Sequence, residues 1–310
     1  MKFRTSISPL KHQGLVSHQT KLISLGSCFA VNIGEQLKTS GFSVTINPFG
    51  ILFNPLSLLK VLKGKSLVDD HLLTRDNSVM SYDFHSKFKA STNQDFKIKY
   101  QDTMMGVQKA LKNNDILMLT FGTAWTYQLK STGQVIAICQ KQDSQLFTKE
   151  ILDLEALKVA YSATFKAIFA NNKDLSIVLT VSPVRHLKDG VIENNQSKAM
   201  LLLLCQHLAG TFPGQVIYYP SYELVMDDLR DYRFYKSDLI HPNEMAVDYI
   251  YEHFMASFCT AETISNTKYF NQYAKLKQHQ LMSDSSSAHQ TYYDKINALE
   301  QKIKTIRQVD

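Results

Sequence analysis

Cysteine is scarce in this sequence, and its four copies lie far apart. They stand at positions 28, 139, 205 and 259 of 310 residues, so no C-x-x-C pair occurs. Zinc sites made of cysteine use close pairs, and small disulfide-rich folds need a much higher density of cysteines. The pattern therefore excludes a cysteine zinc site and suits a reducing compartment.

Long apolar runs are also lacking. The longest, around Ala199 to Leu204, is far shorter than the roughly 20 apolar residues that span a bilayer. The first residues, Met1 to Ser6, are not followed by the apolar segment that a signal peptide requires. We therefore expect a cytoplasmic protein without a membrane partner.

Strong charge of one sign is missing as well. The formal net charge is +6, from 34 basic and 28 acidic residues. Nucleic-acid-binding proteins usually concentrate their basic residues in one patch. The most basic region, residues 268–277, is interrupted by Phe270, Tyr273 and Leu276, which is typical of a solvated helix face. We therefore expect no nucleic-acid partner. A glycine-rich phosphate loop is absent too, which argues against a phosphate- or nucleotide-binding protein.

The sequence does contain short apolar segments that alternate with longer amphipathic ones. Strands are predicted over residues 21–25, 43–46, 115–121, 176–181 and 216–219, and helices over 29–37, 56–62, 152–169 and 198–208. Buried apolar strands separated by helices are typical of a parallel sheet that is covered on both faces. We predict an α/β fold with three α/β/α layers and a mostly parallel five-stranded sheet.

Composition divides the chain into two parts. Residues 1–262 form the predicted α/β domain, within which the less regular segment 64–110 is an insertion or a covering segment. Residues 263–310 form a C-terminal helical extension, in which Tyr292 to Val309 reads as one charged helix with an apolar stripe. That helix docks either on the main fold or on another subunit, so oligomerisation through it stays open.

Polar residues follow the predicted strands where each strand ends. In open parallel sheets, functional groups collect beyond these carboxyl ends. The candidate residues are Ser27 after the first strand, Asn47 and Gly50 after the second, Thr123 after the third, Arg185 and His186 after the fourth, and Asp238 and His241 later in the chain.

Ser27 has two interpretations from its position alone. It stands where a helix begins, and a serine there commonly caps the helix. The unpaired backbone N–H groups and the helix dipole at such a point also suit a nucleophile whose reaction develops an oxyanion. Asp238 and His241 favour the nucleophile, because a serine needs a base and the base needs an orienting carboxylate.

Several motifs resemble the GSCFA family, whose signature is spelled by Gly26-Ser27-Cys28-Phe29-Ala30. The further matches are, in chain order, residues 47–55, 121–125, 182–186, and 220–235 followed by Asp238 and His241-Pro242. Five blocks in the same order across roughly residues 20–255 make this resemblance specific.

The GSCFA family is in turn similar to the SGNH, or GDSL-like, hydrolases. The resemblance implies a flavodoxin-like three-layer fold and ester hydrolysis. Ser27 matches the nucleophile of the first SGNH block, and Asp238 and His241 match the Asp-x-x-His of the last block. Gly50 falls where the second-block glycine lends an N–H to the oxyanion hole.

The sequence departs from these patterns at two places. The third SGNH block ends in an asparagine that donates to the oxyanion, but here Gly122-Thr123 is followed by Ala124. Thr123 or a side chain from elsewhere must replace that donor, and we group Asn47 with these oxyanion or substrate-binding candidates. The family also tends to carry Asn-Cys-His-Lys where this chain has Ile138-Cys139-Gln140-Lys141, which weakens a polar role there.

Three further groups of residues stand out, and the first two have open alternatives. Arg185 and His186 can bind a substrate carboxylate or phosphate, or Arg185 can be a structural ion-pair partner. His85, in a segment that also resembles a family block, can reach the site from the insertion or lie on the surface. Arg230 and Arg233, among several aspartates, are typical of a salt-bridged structural turn.

Together these features predict a serine ester hydrolase with a Ser-His-Asp mechanism and an acyl-enzyme intermediate. Its substrate is a small-molecule or carbohydrate ester, for example an acetylated sugar, and it needs no metal or organic cofactor. The alternative is a binding or scaffold protein that keeps the SGNH fold without turnover. The sequence does not specify the substrate, the acyl group or the oligomeric state.

Overall fold

The central feature of the computed structural model, which describes residues 4–278 and 286–308, is a parallel sheet. The strands in this part of the chain are β1 (Lys21–Gly26), β2 (Ser43–Ile46), β3 (Leu72–Arg75), β4 (Ser78–Ser81), β5 (Ile116–Phe121), β6 (Trp125–Leu129), β7 (Gln134–Ile136), β8 (Phe147–Ile151), β9 (Ser176–Val181) and β10 (Val216–Tyr218). Five of them form one sheet in the order β10-β9-β5-β1-β2, and every pairing in it is parallel. Taken in chain order, this is the 2-1-3-4-5 arrangement of flavodoxin-like folds.

Helices cover both faces of this sheet. They are α1 (Cys28–Thr39), α2 (Pro55–Leu62), α3 (Asn93–Asn113), α4 (Leu154–Asn171), α5 (Val191–Thr211), α6 (Ser221–Glu223), α7 (Glu244–Phe258), α8 (Ala261–Gln278) and α9 (Ser286–Gln308). Side chains alternate along β1, so that Ile23 and Leu25 join the cluster under α2 to α5, while Leu22 joins the cluster under α1 and α7. The predicted three-layer α/β/α fold class is confirmed.

The segment 64–110 contains the antiparallel β3–β4 hairpin and most of α3. Phe96, Tyr100 and Val107 of α3 are buried in the main core. Its interpretation as an insertion or covering segment stays a prediction, as does the boundary at residue 262.

The sequence did not predict a second sheet, which is three-stranded and antiparallel, with the order β7-β6-β8. Its strands are short, and β8 exposes Thr148 and Lys149, so no continuous apolar run marks them. Helix α5 begins at Val191, before the predicted start at residue 198. The prediction missed its first turns because Glu193 and Asn195 hide the helical periodicity there.

The C-terminal helices α8 and α9 contact each other and the start of the domain. Phe270, Ile303 and Ile306 form one apolar cluster, and the Phe270 ring stacks on His18 with centroids 4.5 Å apart. Helix α9 ends at Gln308, so Val309 of the predicted helix lies outside the described residues. A role for this helix in oligomerisation stays a prediction. Within residues 4–278 and 286–308, no helix combines the length and apolar character needed to cross a bilayer.

Candidate functional site

Ser27 lies at the junction of β1 and α1, at the carboxyl edge of the sheet. It is the N-cap of α1 and is only 2% exposed. Its Oγ accepts a hydrogen bond from the N–H of Phe29 at 3.2 Å, and its own N–H donates to Thr120 O at 3.1 Å. Ser27 therefore caps α1, which is one of its two interpretations. It also lies at the strand end where the other interpretation, a nucleophile, requires it.

Gly26 makes this junction sterically possible. Its φ is +141°, and a Cβ added there would lie 2.2 Å from the backbone oxygen of Thr120. Strands β1 and β5 thus approach closely where the chain turns into α1, and only glycine fits. This close approach fixes the direction in which Ser27 leaves the sheet.

Asp238 and His241 form a hydrogen-bonded pair in the loop before α7. His241 Nδ1 lies 2.7 Å from Asp238 Oδ2, and both side chains are about two-fifths exposed. Asp238 Oδ1 accepts the N–H groups of Ile240 at 2.9 Å and His241 at 3.0 Å. These bonds, led by that of the His241 N–H, lower the pKa of Asp238 to about 2. The carboxylate is therefore ionised and holds the imidazole by Nδ1, which leaves Nε2 for another partner.

The loop that carries this pair lies near the start of α1, since the charge of Lys236 acts on Cys28. Lys236 donates its N–H to His241 O at 2.8 Å. Cys28, next to Ser27, packs with Ile240 against the same apolar cluster. Burial raises the pKa of the Cys28 thiol, and the charges of Lys198 and Lys236 partly oppose this effect. Among the described residues, however, no hydrogen bond joins Ser27 Oγ to His241; each side chain has the partner given above.

Two of the predicted oxyanion groups already have partners. The N–H of Gly50 donates to Asn47 O at 2.7 Å. The N–H of Thr123 donates to Phe53 O at 3.1 Å, and its hydroxyl lies 3.0 Å from Ser197 Oγ. Their roles toward an oxyanion stay predictions that require these bonds to be exchanged.

Asn47, by contrast, has an unused donor. Its Oδ1 accepts the N–H of Gly26 at 2.8 Å, which assigns Nδ2 as the other amide atom. Nδ2 is buried and has no hydrogen-bond partner among the described residues. Asn47 adopts a left-handed φ of 39°. Conformations of this kind are strained and concentrate at functional sites. The N–H of Cys28, at the first position of α1, also lacks a backbone acceptor in the described chain.

His186 and Arg185 lie next to the Asp238–His241 loop. Arg185 donates its N–H to Ile240 O at 3.1 Å. Burial, together with the charges of Lys198 and His241, lowers the pKa of His186 from 6.5 to about 3. His186 is therefore neutral at physiological pH. It lies at the same edge of the sheet as His241.

His85 lies against the loop that follows β2. A Cβ added at Gly50 would come within 2.4 Å of His85 Cβ, and His85 donates its N–H to Phe49 O at 3.3 Å. Its Nδ1 accepts from Lys87 N at 3.2 Å, and burial lowers its pKa. The segment before α3 thus brings His85 to the Asn47–Gly50 loop, as one of the two sequence interpretations proposed.

Lys198 was missed in the sequence analysis. It is 1% exposed, and its Nζ donates to Gly122 O at 2.6 Å and Ser182 O at 2.7 Å. These oxygens follow β5 and β9, so the amine lies across two strand ends of the site. Burial lowers its pKa from 10.5 to about 7. The sequence signal was a lysine at helical spacing from the buried apolar residues Leu201 and Cys205 of α5, although the polar residues Asn194 and Ser197 are buried on this helix as well.

The residues that the structure describes contain no cluster of three or more His, Cys, Asp or Glu side chains that could hold a metal ion. A comparison with curated proteins found none that matches this chain. The model of the GSCFA family matches residues 21–254, which include Ser27, Lys198, Asp238 and His241. The chain therefore belongs to the GSCFA family.

Proposed function

We propose that this protein is a serine ester hydrolase of the SGNH type, with Ser27 as nucleophile, His241 as base and Asp238 as the orienting carboxylate. The observation that carries the proposal is the ionised Asp238 bonded to His241 Nδ1 at 2.7 Å, in a loop whose Ile240 packs against the same apolar cluster as Cys28, the residue that follows Ser27. A neutral base with one nitrogen held and the other open is what a serine nucleophile requires.

In the first half of the reaction, His241 Nε2 takes the proton of Ser27 Oγ while Oγ bonds to the ester carbonyl carbon. The resulting tetrahedral oxyanion collapses, the bond to the alcohol oxygen breaks, and His241 returns the proton to that oxygen. Water then attacks the acyl-Ser27 ester with the same proton transfers, which releases the acid and restores Ser27.

Attack requires Ser27 Oγ to turn toward His241. In the free protein Oγ accepts from Phe29 N, and this capping bond is weak enough, at about 1 kcal/mol, for substrate binding to replace it. Catalytic hydrogen bonds are often long in free enzymes and tighten in the substrate complex.

The oxyanion needs donors that have no other partner. Asn47 Nδ2 satisfies this condition among the described residues, and the N–H of Cys28 has no backbone acceptor there, whereas Ser27, Gly50 and Thr123 donate their N–H groups to backbone oxygens. We assign the oxyanion hole to the first two groups. Asn47 thereby replaces the asparagine that the third SGNH block lacks here. Lys198, buried behind the strand ends, adds positive charge to this edge below its pKa of about 7.

The alternative is a protein that binds a ligand at the same edge without turnover. The observation in its favour is the absence, among the described residues, of a hydrogen bond between Ser27 Oγ and His241. A panel of acetyl, butyryl and longer 4-nitrophenyl esters separates the two functions. The esterase proposal expects turnover by the wild type that Ser27→Ala and His241→Ala each abolish.

His207→Ala is the matched control, because this histidine lies on α5 and makes only hydrogen bonds of 3.3 Å or longer with its side chain. It should hydrolyse the panel like the wild type. Turnover that persists in Ser27→Ala, or no turnover of any ester by folded wild-type protein, contradicts the esterase proposal and favours a binding function.

A further inference from the structure

A cleft opens next to the proposed catalytic loop, between the start of α5, the helical segment that begins with α6, and residues 230–235. Its volume is about 270 Å³, and its lining includes Arg185, Asn194, Tyr222, Arg230, Tyr232 and Tyr235. Ligand sites of this size combine apolar and aromatic surface with a few polar groups that fix orientation.

Two walls of the cleft are bonded to the loop of Asp238 and His241. Arg185 donates its N–H to Ile240 O at 3.1 Å, and its guanidinium lies 3.5 Å from Leu239 O. On the other side, Tyr235 pairs with Pro242 in a backbone bridge. A molecule in this cleft therefore lies on the His241 side of the catalytic edge.

The charge of the cleft favours an anion. Arg185 forms no ion pair with any carboxylate among the described residues, and Arg230, 81% exposed, is 4.0 Å from Asp227. The acidic residue of the lining, Asp231, accepts from the N–H of Arg233 at 2.8 Å and lies 3.8 Å from its guanidinium. Arg185 is thus unpaired, and Arg230 has only a long and exposed ion pair with Asp227. Planar guanidinium is well suited to a carboxylate.

The same lining offers aromatic faces. Tyr232 is 66% exposed, and its ring centroid lies 6.2 Å from that of Tyr235. Exposed tyrosine rings pack against the apolar C–H face of a sugar ring while their hydroxyl groups remain in water. Arginine beside tyrosine therefore fits a ring that bears both hydroxyl groups and a carboxylate.

We propose that this cleft binds the alcohol part of the substrate, and that this alcohol is a sugar ring bearing a carboxylate. The assignment to the alcohol part rests on the proposed esterase function, because the general acid His241 must reach the leaving oxygen. The binding site itself rests on the cleft, on Arg185, which forms no ion pair among the described residues, and on Arg230, whose exposed ion pair with Asp227 at 4.0 Å an anion can replace. Arg185 and Arg230 select the carboxylate, and Tyr232 stacks on the ring.

The test measures the binding of D-glucuronate and D-glucose to full-length Ser27→Ala protein by saturation-transfer NMR. These two sugars share the ring and differ in the carboxylate, and turnover plays no part. We expect glucuronate to bind at least about tenfold more tightly than glucose, from one charge-assisted pair. Arg185→Gln should remove that preference and Arg185→Lys should keep part of it, while Tyr232→Ala should weaken both sugars.

Matched controls come from α9. Arg307→Gln and Tyr293→Ala make the same changes on a helix outside the cleft and should leave both affinities unchanged. If Arg185→Gln fails to fold, the exposed Arg230→Gln tests the same charge. Equal affinity for the two sugars, no binding of glucuronate up to about 10 mM, or an unchanged preference in both arginine variants overturns the proposal. Binding without ester turnover would retain the cleft and reject the esterase function.

Discussion

Lys198→Met should change how stability depends on pH. Lys198 is fully buried, and burial lowers its pKa from 10.5 to about 7. The unfolded chain keeps this proton up to about pH 10.5, whereas the folded chain releases it above about pH 7. The unfolded state therefore binds more protons between these values, and stability rises with pH across that window.

The size of the effect follows from the two pKa values. The drop from 10.5 to about 7 corresponds to about 5 kcal/mol of lost stability below pH 7. About 3 kcal/mol of that cost disappears between pH 7 and pH 9.5. Lys198→Met removes the titration but leaves Gly122 O and Ser182 O without a donor, at about 1–3 kcal/mol each. The two changes offset each other near neutral pH, so the slope is the useful observable.

Urea unfolding at several values between about pH 7 and pH 9.5 measures this slope. The free energy of unfolding of the wild type, relative to Lys198→Met, should increase by about 3 kcal/mol over that range. Lys188→Met is the control, because this lysine is exposed and should keep the wild-type slope. A difference in the free energy of unfolding between wild type and Lys198→Met that stays constant with pH would show that Lys198 does not titrate in this range.

Three further substitutions test the site. Asp238→Asn should lower kcat for ester hydrolysis by about 10³-fold or more with little change in thermal stability, because the ionised carboxylate holds His241. Gly26→Ala should cost about 3 kcal/mol of stability in urea unfolding, since its Cβ would lie 2.2 Å from Thr120 O. Ser27→Ala loses the cap to Phe29 and should cost about 1 kcal/mol, so its loss of activity would not reflect unfolding. Asp238→Asn at wild-type kcat, or Gly26→Ala at wild-type stability, would contradict these expectations.

Strands β1, β5 and β9 of the main sheet could be predicted because nearly all of their residues are buried and most of these are apolar. The run at β5 is apolar at almost every position, and Gly26 and Ser27 follow β1 at once. The β7-β6-β8 sheet could not be predicted in the same way, because Phe147 is the only buried residue of β8 and β7 has only three residues.

The catalytic candidates were predictable where residues close in sequence act together. Asp238 and His241 are bonded across three positions, so their spacing already indicated the pair. Lys198 was not predictable, because its partners Gly122 O and Ser182 O lie 76 and 16 positions away and are backbone atoms of ordinary residues. The unused donor of Asn47 could not be predicted either. Nδ2 lacks a partner because the N–H of Gly26 donates to Asn47 Oδ1, and no sequence pattern indicates that hydrogen bond.

The central claim is that Ser27 is a nucleophile activated by His241. Reaction with a fluorophosphonate, followed by intact-mass measurement and peptide mapping, tests it most directly. We expect one adduct per chain, on the peptide that contains Ser27. The adduct should be absent in Ser27→Ala and should form much more slowly in His241→Ala. His207→Ala should be labelled like the wild type. Folded wild-type protein that remains unlabelled, or an adduct that persists in Ser27→Ala, would contradict it.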